Sequence, residues 1–106
     1  MGQQFTVVID SGGMARTHGR IFSAKGSNDT VQWLLPGGGS RKIRFQTESP
    51  FTDGLREFVV STPPGPPKKF HPAKFPGPGA AAEHFKYDIL AMDDSLMDDP
   101  VIILED

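Results

Sequence analysis

The 106-residue sequence contains no cysteine, one tryptophan and one tyrosine. Without cysteine there is no disulfide, no thiolate nucleophile and no Cys-ligated zinc, iron–sulfur or blue-copper centre. One Trp and one Tyr do not imply the aromatic cleft in which paired carboxylates hydrolyse a sugar. No run of about 18 apolar residues occurs, and no basic segment leads into an apolar stretch near Met1. Neither a transmembrane segment nor a signal peptide is therefore expected, and the cytoplasm is the default compartment. The length suits one domain over residues 1–106 and is too short for a second independent core.

Twelve Gly and ten Pro stand beside a hydrophobic fraction of 37%. Eight Phe and several β-branched runs nevertheless supply enough apolar side chain to offset the entropy of ordering most of the chain. Formal net charge is −2, unevenly spread: residues 83–106 hold eight acidic residues and one Lys, and the rest holds ten basic and five acidic. Strands from the two parts lie side by side in a sandwich, so the acidic segment is expected to neutralise Lys and Arg of the same fold.

Phe5-Thr6-Val7-Val8-Ile9 reads as a strand stopped by the turn Asp10-Ser11-Gly12-Gly13. Further strands are expected around Arg20–Ser23, at Thr30–Leu35, over Lys42–Gln46 and over Arg56–Ser61. Lys42-Ile43-Arg44-Phe45-Gln46 alternates polar and apolar, as a half-buried strand does. Ala80–Phe85 supports a turn of helix at most, because the following Phe85-Lys86-Tyr87-Asp88-Ile89 alternates like a strand.

Seven of the ten prolines fall in Thr62–Gly79. Proline cannot donate to a sheet ladder, so 62–79 is expected to be a Pro/Gly-rich crossing loop between sheets, extended in polyproline II fashion. Together these signals predict an all-β fold, a single Greek-key β-sandwich of about seven strands. Its core is expected from Phe5, Val7, Ile9, Trp33, Leu35, Ile43, Phe45, Phe58, Val60, Phe85, Ile89, Val101 and Ile103.

The segment Tyr87–Asp106 carries two apolar runs, Tyr87–Met92 and Val101–Leu104, around an acidic turn, which is a hairpin signature. Asp99-Pro100, four aliphatics and Glu105, the run DPVIILE, resemble the end of the small DP-EP family, as does Tyr87-Asp88-Ile89 ahead of the turn. Asp106 stands where that family has its second proline. The resemblance covers about the final twenty residues and implies a single-domain β-sandwich, immunoglobulin-like or cupredoxin-like, with no established activity to carry over.

Candidate motifs are mostly better read as structure. Asp10-Ser11-Gly12-Gly13 is similar to the nucleophile segment of chymotrypsin-like proteases, but a tight turn is expected, since so little chain precedes it and the length cannot build two barrels. Leu35-Pro36-Gly37-Gly38-Gly39 lacks the threonine and apolar tail of a sorting signal. Gly37–Lys42 lacks the spacing and the helix of a phosphate loop. Pro64-Gly65-Pro66-Pro67-Lys68-Lys69 has the spacing of an SH3 ligand and is expected to be a loop anchored by Phe70 and Phe75.

His18, His71 and His84 are the available nitrogen ligands, and no pair has the i,i+2 or i,i+4 spacing of a shared face. Asp93, Asp94, Asp98 and Asp99 offer oxygens to calcium without an EF-hand pattern. Their alternative role is to solvate the hairpin turn and fix the chain before Pro100. Arg41, Lys42 and Arg44 beside Phe45 mix basic and aromatic residues as single-strand binders do, against an acidic pI of about 5.8.

No residue is assigned as catalytic, cofactor-binding or metal-binding, and neither a cofactor, a membrane nor a nucleic acid is expected as partner. The expectation is a non-enzymatic binding or assembly module that self-associates through edge strands or takes a protein partner. The alternative is a metal-ion or small-ligand binding sandwich that uses the acidic hairpin or the scattered histidines.

Overall fold

The computed structural model describes residues 2–24, 28–70 and 83–105. Among them the strands, in chain order, are β1 (Gln4–Ile9), β2 (Ala15–Thr17), β3 (Arg20–Ala24), β4 (Thr30–Leu34) and β5 (Ser40–Phe45). These are followed by β6 (Glu57–Ser61), β7 (Lys68–Lys69), β8 (Glu83–Leu90), β9 (Leu96–Asp98) and β10 (Val101–Glu105). The fold is all-β, with no helix among the described residues. Three pieces of two or three residues, β2, β7 and β9, raise the strand number above the seven expected, because so short a pairing leaves little pattern in a sequence.

One sheet runs β2-β1-β4-β7. The other runs β3-β10-β8-β5-β6, with β9 also paired to β8. Both are mixed: β1 lies parallel to β4 and β3 parallel to β10, while the remaining pairs are antiparallel. Alternation in β1 and β4 sends Phe5, Val7, Ile9, Val31 and Trp33 into the core, as a two-residue period requires. From the second sheet come Ile21, Ile43, Phe45, Phe85, Tyr87, Ile89, Ile102 and Leu104. Phe58 and Val60 are half-buried against this core, and Phe51 and Phe70 join it from the connections, stacked with centroids 5.3 Å apart.

The terminal strand has the opposite phase to the expected one. Ile102 and Leu104 enter the core cluster, and Val101 and Ile103 do not. The register on β8 sets this: Ile102 stands opposite buried Phe85, and Val101 opposite exposed Lys86. Ile103 is also buried, at 8% exposure, on the face away from Ile102. The end of β9 and β10 hold the same antiparallel register on β8, Ile89 opposite Asp98 and Lys86 opposite Val101, so Asp99-Pro100 interrupts the strand without shifting it; the shift comes earlier, where Leu90 stands opposite Leu96. Pro100 has no N–H, but its carbonyl accepts the Tyr87 amide at 3.1 Å.

β6 and β7 belong to different sheets, so the chain crosses within 62–67, and Lys68–Lys69 of the expected 62–79 loop is strand. Residues 62–67 leave β6 and run back along β4: Thr62 Oγ1 donates to the Leu35 carbonyl at 2.8 Å, and Gln32 Nε2 donates to the Gly65 carbonyl at 3.0 Å. Lys68 and Lys69 then pair with Val31 and Thr30 as β7. The remainder of that loop expectation, 71–79, lies outside the described residues, as do 80–82 of the expected helical turn; Glu83–Phe85 is already strand.

Candidate functional site

The four aspartates of the terminal hairpin are each engaged within the fold. Asp93 Oδ1 accepts from the Ser95 hydroxyl at 2.6 Å and from its amide at 3.0 Å, an Asx turn that closes the β8–β9 connection. Asp94 adopts φ 73°, a conformation Asp tolerates in turns, and its Oδ1 lies 2.8 Å from Lys42 Nζ and 3.3 Å from Arg44 Nη2. Asp98 Oδ2 reaches the other sheet and accepts the Ala15 amide at 2.8 Å, and Asp99 pairs with Lys86 at 3.2 Å. Hydrogen bonds from the Ser95 hydroxyl and then its amide hold the Asp93 carboxyl below the ordinary carboxylate value. The Lys42 ammonium, with Arg44 beyond it, does the same for Asp94.

Of the four, Asp94 meets Lys42 and Arg44 of the earlier part of the chain, the internal neutralisation expected from the charge asymmetry. Among the described residues no three His, Cys, Asp or Glu side chains come together around a common point that could hold a metal ion. His18 sits at φ 56° with Nδ1 3.1 Å from the Thr6 carbonyl and its ring edge-on to Phe5. His84 is exposed on β8 opposite Ile103. His71 and Phe75 lie outside the described residues.

Asp10–Gly13 is the β1–β2 turn. The Gly13 amide donates to the Asp10 carbonyl at 2.9 Å, and the Met14 amide donates to Asp10 Oδ1 at 2.9 Å. That amide first, and the Arg16 guanidinium next, hold the Asp10 carboxyl below its ordinary value. Gly13 has φ +83° and packs under Met97, whose side chain occupies the space of a Cβ. Gly37–Gly39 joins strand to strand, β4 to β5, and has no helix to present to a phosphate.

The basic–aromatic group on β5 does not form a stacking surface. Phe45 is fully buried, Lys42 and Arg44 are tied to Asp94, and Arg44 also to Glu57 at 2.5 Å. Arg41 donates to the carbonyls of Ser40 at 2.7 Å and Ser11 at 3.4 Å, and its buried Nε has no partner. Of the polyproline-like stretch, Lys68 is ion-paired with Asp53 and lies 4.1 Å over the Phe58 ring.

What the structure does bring together is an open strand edge and a slot beside it. Among the described residues, β6 ends the six-stranded sheet and pairs only with β5. The Phe45 amide bonds the Arg56 carbonyl at 2.8 Å, and antiparallel pairs alternate between bonded and non-bonded. Ile43–Phe58 and Arg41–Val60 are therefore the bonded pairs, and the N–H and C=O groups of Glu57, Val59 and Ser61 point away from β5. Val59, at the centre, is 54% exposed. Facing β6 across the gap between the sheets, 62–67 covers the β4 edge with Pro63, Pro64, Pro66 and Pro67, which have no N–H for a further strand.

Between these two edges lies a slot of about 340 Å³, walled by Val31, Trp33, Phe58, Val60, Pro63 and Pro66. Val59, Ser61 and Lys68 also line it. The sequence reading identified both the Arg56–Ser61 strand and the prolines after it, but not the slot. The available signal was a strand without charge in its middle running directly into Pro63-Pro64.

No helix among the described residues is long and apolar enough to cross a membrane. Comparison with known proteins finds no family model that matches this chain, and no curated protein or solved structure similar to it.

Proposed function

We propose that this chain is a non-enzymatic assembly module that self-associates through main-chain pairing along β6. The observation that carries the reading is the unguarded edge. Natural sheets blunt their edges with Lys, Pro, bulges or very short strands. β2 and β7 are short and the β7 side is flanked by prolines, whereas the two edges of the six-stranded sheet, β3 and β6, each have five residues, an unbroken register, no Pro, no Lys and an exposed apolar residue at the centre, Phe22 and Val59; of these two, β6 is the one beside the slot. Such an edge offers outward amides and carbonyls to another strand, the mode by which sheets add an extended segment. The resemblance of DPVIILE to the DP-EP family accords with the reading, since it implies a sandwich without a transferred activity.

Sedimentation velocity over a dilution series tests it. The chain should form a dimer that dissociates on dilution, and Val59→Pro should be monomeric throughout, because that N–H serves no bond to β5. Val59→Lys, which keeps the backbone donor and adds an edge charge, should weaken the dimer as well. A monomer at every concentration, or a dimer unaffected by both variants, would overturn the reading.

A further inference from the structure

We infer that two copies pair about a two-fold axis through Val59, and that the slot beside β6 receives the partner's Phe58 and Val60. The inference rests on the β6 pairing proposed above and assigns its register and the role of the slot. Only Glu57, Val59 and Ser61 direct main-chain groups outward, so a symmetric antiparallel pair that uses the whole strand has Val59 on the axis, bonded reciprocally to the partner's Val59. Glu57 then bonds opposite the partner's Ser61, and Phe58 stands opposite the partner's Val60 in a non-bonded pair, the arrangement that brings side chains closest.

A two-fold axis normal to the sheet keeps the inner faces of both copies on the same side. Phe58 and Val60 are inner-facing yet only half-buried, and they form one wall of the slot. Their counterparts from a second copy therefore enter the gap between β6 and the proline-lined edge, against Trp33, Pro63 and Pro66. Charge permits this occupant. The one charged side chain of β6, Glu57, is held by Arg44 of its own copy and meets a serine across the seam, so no like charges are opposed. The prolines across the slot leave an entering strand only β6 to bond.

A five-residue seam falls below the about 1,200 Å² of a standard interface, which places the dimer in the weak, dilution-sensitive class. Filling the slot adds the apolar contact that a bare edge pairing lacks.

The absence of cysteine makes an introduced thiol unique. In Val60→Cys, a near-isosteric change, the rate of maleimide reaction is measured alongside mass across the dilution series. The thiol should react about tenfold or more slowly in the dimer than in the monomer, as a group reached only by opening does. The double variant Val59→Pro/Val60→Cys should react at the monomer rate at every concentration. A mixture of Phe58→Cys and Val60→Cys chains should oxidise to a crosslinked heterodimer. A Val59-dependent dimer with equal thiol rates in dimer and monomer, or without that crosslink, overturns the slot assignment and leaves the pairing standing. A chain that never dimerises, or dimerises regardless of Val59, overturns both.

Discussion

Trp33 Nε1 donates to Tyr87 Oη across 3.4 Å, with the two rings perpendicular and their centroids 5.8 Å apart. The pair joins β4 of one sheet to β8 of the other at the centre of an aromatic cluster that also includes Phe45, Phe51 and Phe58. Burial pushes the phenol above its ordinary value of 10.0. The folded state therefore favours the protonated form. The associated stability is whole below the ordinary value and declines as pH rises above it toward the folded value. As the chain has one tyrosine, tyrosinate absorbance should appear together with the loss of near-UV circular dichroism, as one alkaline unfolding transition. Tyr87→Phe should remove the hydroxyl transition, cost about 1–2 kcal/mol by leaving the indole N–H unpaired, and alter Trp33 fluorescence.

Gly13 is held at positive φ beneath Met97. Gly13→Ala adds a Cβ both to a left-handed backbone and to occupied space, and should destabilise the fold by about 2–4 kcal/mol in urea unfolding. The double variant Gly13→Ala/Met97→Ala should recover only part of that loss, since it relieves the thioether contact and not the backbone.

Asp93 and Asp94 are both held below the ordinary value of 3.8 in the fold. The ionised form is favoured when folded, so their contribution is whole above 3.8 and is lost as pH falls through the lowered folded values. Urea midpoints measured from about pH 6 to about pH 2 should drop in this window, and Asp94→Asn should make the drop shallower. Added salt should weaken the exposed Lys42–Asp94–Arg44 cluster at neutral pH.

The phase of β10 separates two neighbouring residues. Ile102→Ala should cost about 2–5 kcal/mol, the loss of a fully buried side chain. Val101→Thr, on the half-exposed face, should stay within about 1 kcal/mol by the same denaturation measurement. Equal costs would place both residues in the core.

Strand centres were legible where apolar and polar residues alternate. Phe5, Val7 and Ile9, then Trp33 and Leu35, then Ile43 and Phe45 were expected inside and are buried. Val101–Leu104 has four aliphatics in a row and thus no alternation, so its phase comes from Phe85 and Lys86 across the ladder and cannot be read locally. The parallel pairs were hidden for a related reason: nothing within Arg20–Ala24 states that residues about eighty positions later lie beside it. The charge asymmetry did point to its outcome, since Asp94 meets Lys42 and Arg44. The candidate site was visible only as two separate signals, the strand over Glu57–Ser61 and the prolines that follow. Their opposition across a slot depends on Thr62–Pro67 turning back along β4, a tertiary fact.

β10 lies between β3 and β8, and among the described residues β3 has no other strand neighbour. During synthesis, β3 therefore emerges early and waits without a partner while about eighty further residues are made. The six-stranded sheet cannot close until residues 101–105 have left the ribosome, so assembly runs counter to the common N-terminus-first order. Until then the nascent chain carries an unpaired strand with Ile21, buried in the finished fold, uncovered and in need of shelter from neighbouring chains.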